Sequence, residues 1–451
     1  MEKAGFNMEK QHDFTQGNIF KQMLLFSGPI LLTNLLQTSY QFIDSLWVGN
    51  LLGANALGAV GVSGTILFTV LAFIIGLNNA ALTILSQQKG IGGDEGLKRY
   101  LNAFVVLMTA IALALGIFGY VFSEQLLNLL GTPESMLQDA KTYLQINFLG
   151  ILFLFGYNFI STVMRALGDS RTPLRFVTVA VLANIVLDPL FISVFNWGID
   201  GAAYATVVSQ GLAFIYGFIY LKHKKLAPFT APALPSWKEI RLILNLGIPS
   251  GLQMAVISAG SAAIMSVVTV FGGGVVAGFS AAQRLDNIIM LPAHALSTAV
   301  TSMAGQNIGV KNWQRVEKIA KYGVLYNFAI MIVIGIFIIL FAEFGIKLFI
   351  RDEAAVEFGK QYLRIIALCY PFLGINFILN GIVRASGAMY QVLVLNILSF
   401  WVLRYPLTWL MASELGSVGI AIGMGTSFII SSTFAFLYYR YGKFREKDLF
   451  K

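Results

Sequence analysis

The chain has 451 residues, of which 57% are hydrophobic and only 12% charged, and its formal net charge is +9. Soluble domains carry about 25% charged residues, so this composition excludes an ordinary soluble protein and predicts a polytopic membrane protein. One cysteine and three histidines exclude a disulfide framework and leave little material for a metal site, so we expect no metal and no bound cofactor.

Twelve apolar stretches are each long enough to cross a hydrocarbon core of about 30 Å as a helix. The second stretch is too long for one straight span, and we expect its second half to continue as a tilted or interfacial extension. The sequence therefore predicts an all-α integral membrane protein with twelve transmembrane helices. In chain order the stretches are 22–48, 56–86, 101–121, 141–164, 174–196, 200–221, 242–270, 280–306, 319–345, 360–383, 389–412 and 417–439.

The basic residues are distributed unevenly between the two sets of loops that these helices define. With a cytoplasmic N-terminus, most of the 31 Lys and Arg residues fall on cytoplasmic segments. By the positive-inside rule this bias predicts that both termini are cytoplasmic. It also accounts for the net charge, so we expect no nucleic-acid partner. The opposite face receives only Lys141, Lys347, Arg351, Lys360 and Arg364.

The segment 222–237 is the one clear break in composition. It contains three prolines and a cluster of lysines, which together make a stiff, polar cytoplasmic linker. The linker divides the chain into two predicted six-helix bundles, 1–221 and 238–451.

The two halves repeat each other at a nearly constant spacing. Because each half has an even number of helices, both copies have the same orientation, and the repeat is parallel, with its pseudo-two-fold axis along the membrane normal. Folds of this kind place a cavity between two bundles and alternate its access by rocking. The matching pairs are Gly28-Pro29-Ile30 with Ile248-Pro249-Ser250, Arg165-Ala166-Leu167-Gly168 with Arg384-Ala385-Ser386-Gly387, Pro189-Leu190 with Pro406-Leu407, and Gly198 with Gly416.

Two acids inside the predicted membrane helices break this symmetry. Asp44 lies in the first helix and Asp188 in the fifth, whereas the matching regions of the second half carry no acid. An ionisable residue inside a membrane is costly and by default marks an ion or substrate pathway. At a similar depth lie Asn184, one turn before Asp188, and Thr206 of the sixth helix. We expect these four side chains to form one cation- or proton-coupling pocket in the outer half of the N-terminal bundle.

Two carboxylates in a low-dielectric site cannot both ionise cheaply. Such a pair, beside an amide and a hydroxyl, is suited to taking up a proton or to coordinating Na⁺ through oxygen. Two simpler interpretations stay open: Asp44 marks the helix end and reaches the headgroups, and Asp188 only caps the chain near the kink at Pro189.

Prolines and polar residues on the same helices complete the predicted site. Pro29 and Pro189 leave backbone carbonyls unpaired, which makes them candidate hinges, with a static kink as the alternative. Gln37 and Tyr40 lie on one polar stripe of the first helix. Together with Asn158, we expect them to line the substrate cavity.

Three other charged or titratable positions in the second half have open roles. Arg284 and Asp286 fall early in the eighth helix, and we expect them to form a local pair or to be interface groups. Arg404 lies deeper in the membrane and either faces the cavity or is structural. For His294 a hydrogen-bonded packing role is favoured over proton relay.

Two motifs and the duplication together resemble a known family. Arg165-Ala-Leu-Gly-Asp-Ser-Arg-Thr-Pro173 follows the fourth helix, and Ala304-Gly-Gln-Asn-x-Gly309 follows the eighth. In this order, on a twelve-helix parallel duplication, they resemble the multidrug and toxic compound extrusion (MATE) transporters over essentially the whole chain. The acid cluster around Asp44 and Asp188 resembles the DinF-type branch of that family.

The resemblance implies antiport, in which inward flow of a cation drives the expulsion of organic, usually cationic, amphipathic compounds. In the DinF-type branch the acid cluster is associated with coupling to protons or Na⁺. Another branch, the NorM type, has carboxylates in the seventh and tenth helices. This chain lacks them there, which argues against a cation site in the C-terminal bundle.

The leading hypothesis is therefore a proton-coupled antiporter that exports cationic amphipathic drugs by alternating access, with Asp44 and Asp188 as the coupling acids. A Na⁺-coupled exporter of the same family and a flippase for lipid-linked oligosaccharides are the alternatives. The sequence contains no phosphate-binding loop and no catalytic spacing, so we do not expect an enzyme. We expect a monomer in the prokaryotic plasma (inner) membrane, with the lipid bilayer and small organic cations as its partners.

Overall fold

The computed structural model describes residues 12–451, and all regular secondary structure in that range is helical. Apolar stretches of this length fold as helices because a helix satisfies its backbone hydrogen bonds internally, as a hydrocarbon environment requires. In chain order the α-helices are α1 (Ile19–Leu52), α2 (Ala54–Ile91), α3 (Asp94–Val121), α4 (Ser123–Leu129), α5 (Glu134–Leu149), α6 (Ile151–Ala166), α7 (Arg171–Pro189), α8 (Gly198–His223), α9 (Trp237–Thr269), α10 (Gly273–Ile289), α11 (Leu291–Gly309), α12 (Trp313–Lys347), α13 (Glu353–Ala367), α14 (Tyr370–Ala385), α15 (Met389–Ile397), α16 (Tyr405–Leu415) and α17 (Val418–Tyr441).

Within the described range, ten helical spans are long and apolar enough to cross a membrane by themselves. Two further spans are bent pairs, α5 with α6 at 51° and α13 with α14 at 55°. The described chain thus contains up to twelve candidate spans, which confirms the predicted all-α membrane architecture. The long second stretch is one continuous helix, α2, of 38 residues.

Some predicted helices are interrupted where the apolar stretch continues without a break in composition. The stretch 280–306 is divided between α10 and α11, and the stretch 360–383 between α13 and α14. In each case a proline, Pro292 or Pro371, stands in the first turn of the second helix. A proline has no N–H to continue the preceding helix, and its ring clashes with the carbonyl four residues earlier, so the first helix ends there.

Each half has a segment of wider π-helix beside the repeated proline, but the two segments lie on opposite sides of it. Leu190–Val194 follows Pro189 at the end of α7, and Leu398–Arg404 joins α15 to α16. Short π-helical turns inside α-helices occur frequently at functional sites. Asp188 and Arg404 therefore each lie at a local irregularity of their span.

The chain forms two compact units that exchange the beginnings of two long helices. Helix α1 passes from the second unit to the first beside Pro29, and α9 passes from the first unit to the second at Pro249. The functional domain bounds predicted from the sequence, with a linker at 222–237, stay a prediction. The first unit comprises Gly28–Ile248 with His12 and Asp13, and the second comprises Phe14–Ser27 and Pro249–Lys451.

The beginning of α1 and the segment before it are fixed to the second unit by α12. Arg315 donates to the backbone carbonyls of Phe14, Gln16 and Gly17 at 2.8, 2.7 and 2.9 Å. Asn307 also donates to the carbonyl of Phe14, at 2.9 Å, and the Phe14 side chain is fully buried. The guanidinium thus supplies the donors that these carbonyls lack outside a helix.

The segment before α9 is fixed to the first unit by α3. The side chain of Asn102 donates to the carbonyl of Ala233 at 2.7 Å and accepts from its N–H at 2.8 Å. Arg99 forms an ion pair with the buried carboxylate of Glu239 at 2.7 Å. Both long helices therefore start from a segment that side chains hold in place.

Helix α17 packs against α16 through glycines. A Cβ added at Gly419 would overlap the carbonyl of Met411, and one at Gly423 would lie 2.5 Å from the Cα of Thr408. Small residues four positions apart let the backbones of two membrane helices approach closely. This contact fixes the eleventh span after its π-helical segment.

Candidate functional site

Three helices of the first unit carry the polar residues that the sequence assigned to ion coupling. Asp44 lies on α1, Asn184 and Asp188 lie one turn apart on α7, and Thr206 lies on α8. Asn184 and Asp188 are 0% exposed, and Asp44 and Thr206 are 8% exposed. The four side chains form one buried cluster, together with Tyr40 of α1.

The two carboxylates of the cluster face each other. Asp44 and Asp188 lie within hydrogen-bonding reach of one another, and Asn184 donates from Nδ2 to Oδ1 of Asp188 at 3.1 Å. The hydroxyl of Tyr40 lies beside Thr206 and close to both acids. Thr206 donates its own hydroxyl proton to a carbonyl of its helix at 3.1 Å, so it offers only acceptor lone pairs to the cluster.

The cluster contains more hydrogen-bond acceptors than donors. Oδ1 of Asp44, Oδ2 of Asp188 and Oδ1 of Asn184 are buried and receive no hydrogen bond from the described residues. The Tyr40 hydroxyl is also buried without a well-formed hydrogen bond. Leaving one buried polar group unsatisfied costs about 1–3 kcal/mol, and more for a charged group. Three such oxygens in one place form a site suited to a proton or a small cation.

Two buried tyrosines belong to this region, although no pattern in the sequence selected them. Tyr143 of α5 is 5% exposed, and its hydroxyl lies close to Thr206 and to both acids. Tyr157 of α6 accepts a hydrogen bond from Gln37 at 2.6 Å. The one signal in the sequence that could have indicated Tyr143 is its depth. It lies at the beginning of the fourth apolar stretch, on the outer side of the membrane, where the acids are also expected.

The other predicted residues have more local contacts. Asn158 donates to the carbonyl of Leu154 on its own helix at 2.8 Å, so one donor of its amide is engaged there. Pro29 lies inside α1, where Thr33 donates to its carbonyl at 2.8 Å. Pro189 ends α7 before the π-helical segment. The cavity and hinge roles of these residues stay predictions.

The acid of the second unit that the sequence singled out, Asp286, has a different environment from the expected one. Tyr362 donates to its Oδ2 at 3.2 Å, and Tyr370 donates to its Oδ1. The expected local pair with Arg284 does not form, because residues two apart on a helix do not face each other. Arg284 is exposed, and its guanidinium lies over the ring of Phe349 instead.

Comparison with known proteins decides the family. The MatE family profile matches the chain twice, at residues 29–190 and 249–410. The chain belongs to the MatE family. The two matches fall in the two halves of the predicted repeat and so agree with the parallel duplication. Membership of the DinF-type branch stays a prediction.

Relatives of this MatE protein extend over nearly its whole length. The probable multidrug resistance protein YpnP of Bacillus subtilis (strain 168) is 62% identical over 98% of this chain and 99% of its own length. The probable multidrug resistance protein YoeA of the same organism is 28% identical over 94% of each chain.

Solved structures of MATE transporters share the fold. The Vibrio cholerae MATE transporter VcmN in its bent form has a TM-score of 0.91 over 96% of this chain and 98% of that one, at 23% identity. A MATE transporter in its straight conformation has a TM-score of 0.89 over 95% and 96% of the two chains, at 24% identity. The protein is thus a multi-pass membrane transporter with the MATE fold.

Proposed function

We propose that this MatE transporter is a proton-coupled antiporter that exports amphipathic organic cations, with Asp44 and Asp188 as its coupling acids. The observation that carries the proposal is the buried contact between these two carboxylates, each with an oxygen that no donor reaches among the described residues. Two carboxylates in contact in a low-dielectric site cannot both hold a negative charge without a large energetic cost. They are therefore suited to sharing one proton.

The relatives support the export of organic compounds. YpnP is named as a probable multidrug resistance protein. MepA of Staphylococcus aureus (strain bovine RF122 / ET3-1), 24% identical over 91% of this chain, is named as a multidrug export protein. A relative in Shewanella oneidensis, 25% identical over 92% of this chain, is named as an FAD transporter, so the cargo differs between members. We expect the protein to act as a monomer in the bacterial plasma membrane with both termini in the cytoplasm.

The proposed cycle begins with a proton that enters from the outer side and binds between the two carboxylates. Their repulsion is removed, and the hydrogen bond between them draws α1 towards α7, while Pro29 and Pro189 allow these helices to bend. The bend narrows the space beside Gln37 and Tyr40, and the organic cation leaves. Loss of the proton to the cytoplasm restores negative charge to the site, which attracts the next cation.

Coupling to Na⁺ is the second candidate. It is favoured by the three unpaired oxygens of Asp44, Asp188 and Asn184, because oxygen ligands of this kind are those that hard cations prefer. The hydroxyls of Tyr40 and Thr206 lie close enough to complete such a ligand set. Proton and Na⁺ coupling would then use the same residues and differ in the driving gradient.

Efflux from proteoliposomes tests both forms of the proposal. The full chain is reconstituted, a pH gradient or a Na⁺ gradient is imposed separately, and efflux of a fluorescent organic cation is followed. We expect the pH gradient to drive efflux, and Asp44→Asn and Asp188→Asn to reduce it to the rate of protein-free vesicles. The exposed acid Asp139 of the same unit gives the matched control, since Asp139→Asn should leave efflux unchanged.

Two results would change the assignment. If Asp44→Asn retained full pH-driven efflux, Asp44 would not be a coupling acid. If a Na⁺ gradient at equal pH drove efflux and a pH gradient did not, the coupling ion would be Na⁺ rather than the proton.

A further inference from the structure

Two large apolar side chains are exposed where α9 begins. Leu234 is 95% exposed and Trp237 is 72% exposed. Trp237 is the first residue of α9, a candidate membrane span, and Leu234 precedes it outside the helix. The apolar stretch of this span begins at residue 242, so Trp237 lies about 8 Å before it along the helix axis. The headgroup region is about 5–8 Å deep on each side of the hydrocarbon, which places Trp237 at the level of the headgroups.

The backbone that carries these side chains is held by hydrogen bonds and an ion pair. Ser236 and Glu239 form a capping box, in which the N–H of Ser236 donates to Oε2 of Glu239 at 2.8 Å and the N–H of Glu239 donates to Oγ of Ser236 at 3.4 Å. Asn102 binds both backbone groups of Ala233. Arg99 forms the ion pair with Glu239. The two exposed apolar side chains therefore stand on a fixed backbone.

The surface around them is positively charged. Trp237 and Arg241 are four residues apart on α9 and share one face of the helix. Lys238 lies three residues before Arg241 and neighbours it on the helix surface, and both basic side chains are exposed. Glu239, the only acid in the segment 222–241, is buried in an ion pair. The exposed surface at the start of α9 is thus apolar and basic, without a free acid.

The first copy of the repeat has a different surface at this place. Counted back from the repeated proline, Phe14 corresponds to Leu234, but Phe14 is fully buried. Gly17 corresponds to Trp237, so the first copy has no side chain there. The duplication by itself therefore does not account for the exposed pair, which is particular to the start of α9.

We propose that the start of α9 binds anionic phospholipids of the leaflet on the linker side. Leu234 and the Trp237 ring would lie among the headgroups, and Lys238 and Arg241 would bind the phosphates. Tryptophan suits this level because its ring is apolar and its N–H is polar. Basic residues next to a membrane span attract anionic lipids. The binding requires neither ion coupling nor a transported compound, so it goes beyond the proposed function and is tested separately from it.

Quenching of tryptophan fluorescence by brominated lipid tests this inference. The purified full chain is reconstituted in vesicles that contain phosphatidylcholine and phosphatidylglycerol in equal amounts, with bromine on the acyl chains of one lipid or of the other. The chain has six tryptophans, so the signal of Trp237 is the difference between the parent protein and Trp237→Phe. Acrylamide in the aqueous phase measures the contact of the same side chain with water.

We expect brominated lipid to quench Trp237, and to quench it more strongly when phosphatidylglycerol carries the bromine. A basic residue near an anionic surface strengthens the attraction about two- to fivefold. Lys238→Gln and Arg241→Gln should each lower the preference for phosphatidylglycerol by this factor, and the double variant should lose the preference. Quenching by both lipids should persist in the double variant, because its apolar side chains are unchanged.

Trp197 provides the matched control. It directly precedes α8 at the end opposite to His223, and it is 48% exposed. The segment 187–210 around it contains no Lys or Arg. The difference signal from Trp197→Phe should therefore be quenched equally by bromine on either lipid.

Two results would overturn the proposal. Equal quenching of Trp237 by the two brominated lipids would show that the start of α9 does not select anionic headgroups. Quenching by acrylamide without quenching by either brominated lipid would place Trp237 in water and leave the surface free for a protein partner.

Discussion

The side-chain amide of Asn184 donates to Oδ1 of Asp188 at 3.1 Å, one helical turn further along α7. The spacing of four residues brings the two side chains to the same face of the helix, so the bond follows from the local sequence. It holds the carboxylate in one orientation and leaves Oδ2 without a donor in the described structure. The neutral side chain of Asn184 thus orients the carboxylate of Asp188, to which we assign ion coupling.

Removal of this amide should therefore slow transport without removing either acid. We expect Asn184→Ala to lower the initial rate of pH-driven efflux about ten- to a hundredfold, because a hydrogen bond to a charged group contributes about 1.5–3 kcal/mol. Asn50→Ala is the control, since Asn50 is exposed and its amide binds only a carbonyl of α1, at 2.9 Å. An unchanged efflux rate in Asn184→Ala would show that the orientation of Asp188 does not limit the cycle.

The hydroxyl of Tyr143 gives a second prediction. It lies close to both acids and to Thr206, so Tyr143→Phe removes one polar group from the cluster while keeping the ring that fills the space. We expect pH-driven efflux to fall about two- to tenfold, which corresponds to one neutral hydrogen bond, with no change in the thermal unfolding midpoint. Tyr120→Phe alters a tyrosine that is 41% exposed on α3 and should have no effect. Equal efflux by the two variants would remove Tyr143 from the site.

The anchoring of the N-terminal segment gives a prediction about stability. Arg315→Gln removes a guanidinium that binds three backbone carbonyls, so we expect the free energy of unfolding of the second unit to fall by about 2 kcal/mol. Tryptophan fluorescence during heating in detergent measures the change, and trypsin should cleave after Lys21 faster than in the parent protein. Lys318→Gln changes an exposed lysine on the same helix and should be neutral. Unaltered cleavage after Lys21 would contradict the anchoring role.

The close approach of α16 and α17 gives a fourth prediction. In Gly423→Ala the new Cβ would lie 2.5 Å from the Cα of Thr408 and 2.6 Å from the carbonyl oxygen of Leu407. Both are backbone atoms and can move only with the helix, so we expect a loss of about 1–3 kcal/mol of stability. Gly61→Ala meets no atom within 4 Å and should be neutral or slightly stabilising, because alanine is the better helix former. Equal thermal unfolding midpoints of Gly423→Ala and Gly61→Ala would mean that α16 and α17 can move apart without loss of stability.

Much of this architecture could be predicted from the sequence because the bilayer imposes rules that act along the chain. Helix length follows from hydrocarbon thickness, and the orientation of the repeat follows from the even number of helices in each half. The shared depth of Asp44 and Asp188 was predictable for a similar reason, although depth alone does not show that the two side chains meet. Both lie towards the end of predicted spans that run in the same direction, so their depth could be compared without knowledge of packing.

The rest depends on contacts between residues remote in sequence. The depth of Tyr143 alone does not place it beside the acids, because its partners lie on other helices, α1, α7 and α8. Arg284 and Asp286 were expected to form a local pair or to be interface groups, but the helix turns the two side chains apart and Asp286 binds tyrosines from the bent tenth span. The exchange of helix beginnings next to Pro29 could not be predicted either, since the duplicated proline indicates a bend and says nothing about which unit each side joins.

That exchange bears on how such a protein could have arisen. A cut within the segment 222–237 would not yield two whole units, since each half of the chain carries the start of a helix that belongs to the other unit. Two identical six-helix chains that exchanged the beginning of their first helix would form a domain-swapped dimer. Joining their genes through a sequence such as 222–237 would preserve the exchange of helix beginnings within one polypeptide. Copies fused in this way can differ in sequence, as Asp44 and Asp188 of the first half do from their counterparts, while both remain in one polypeptide.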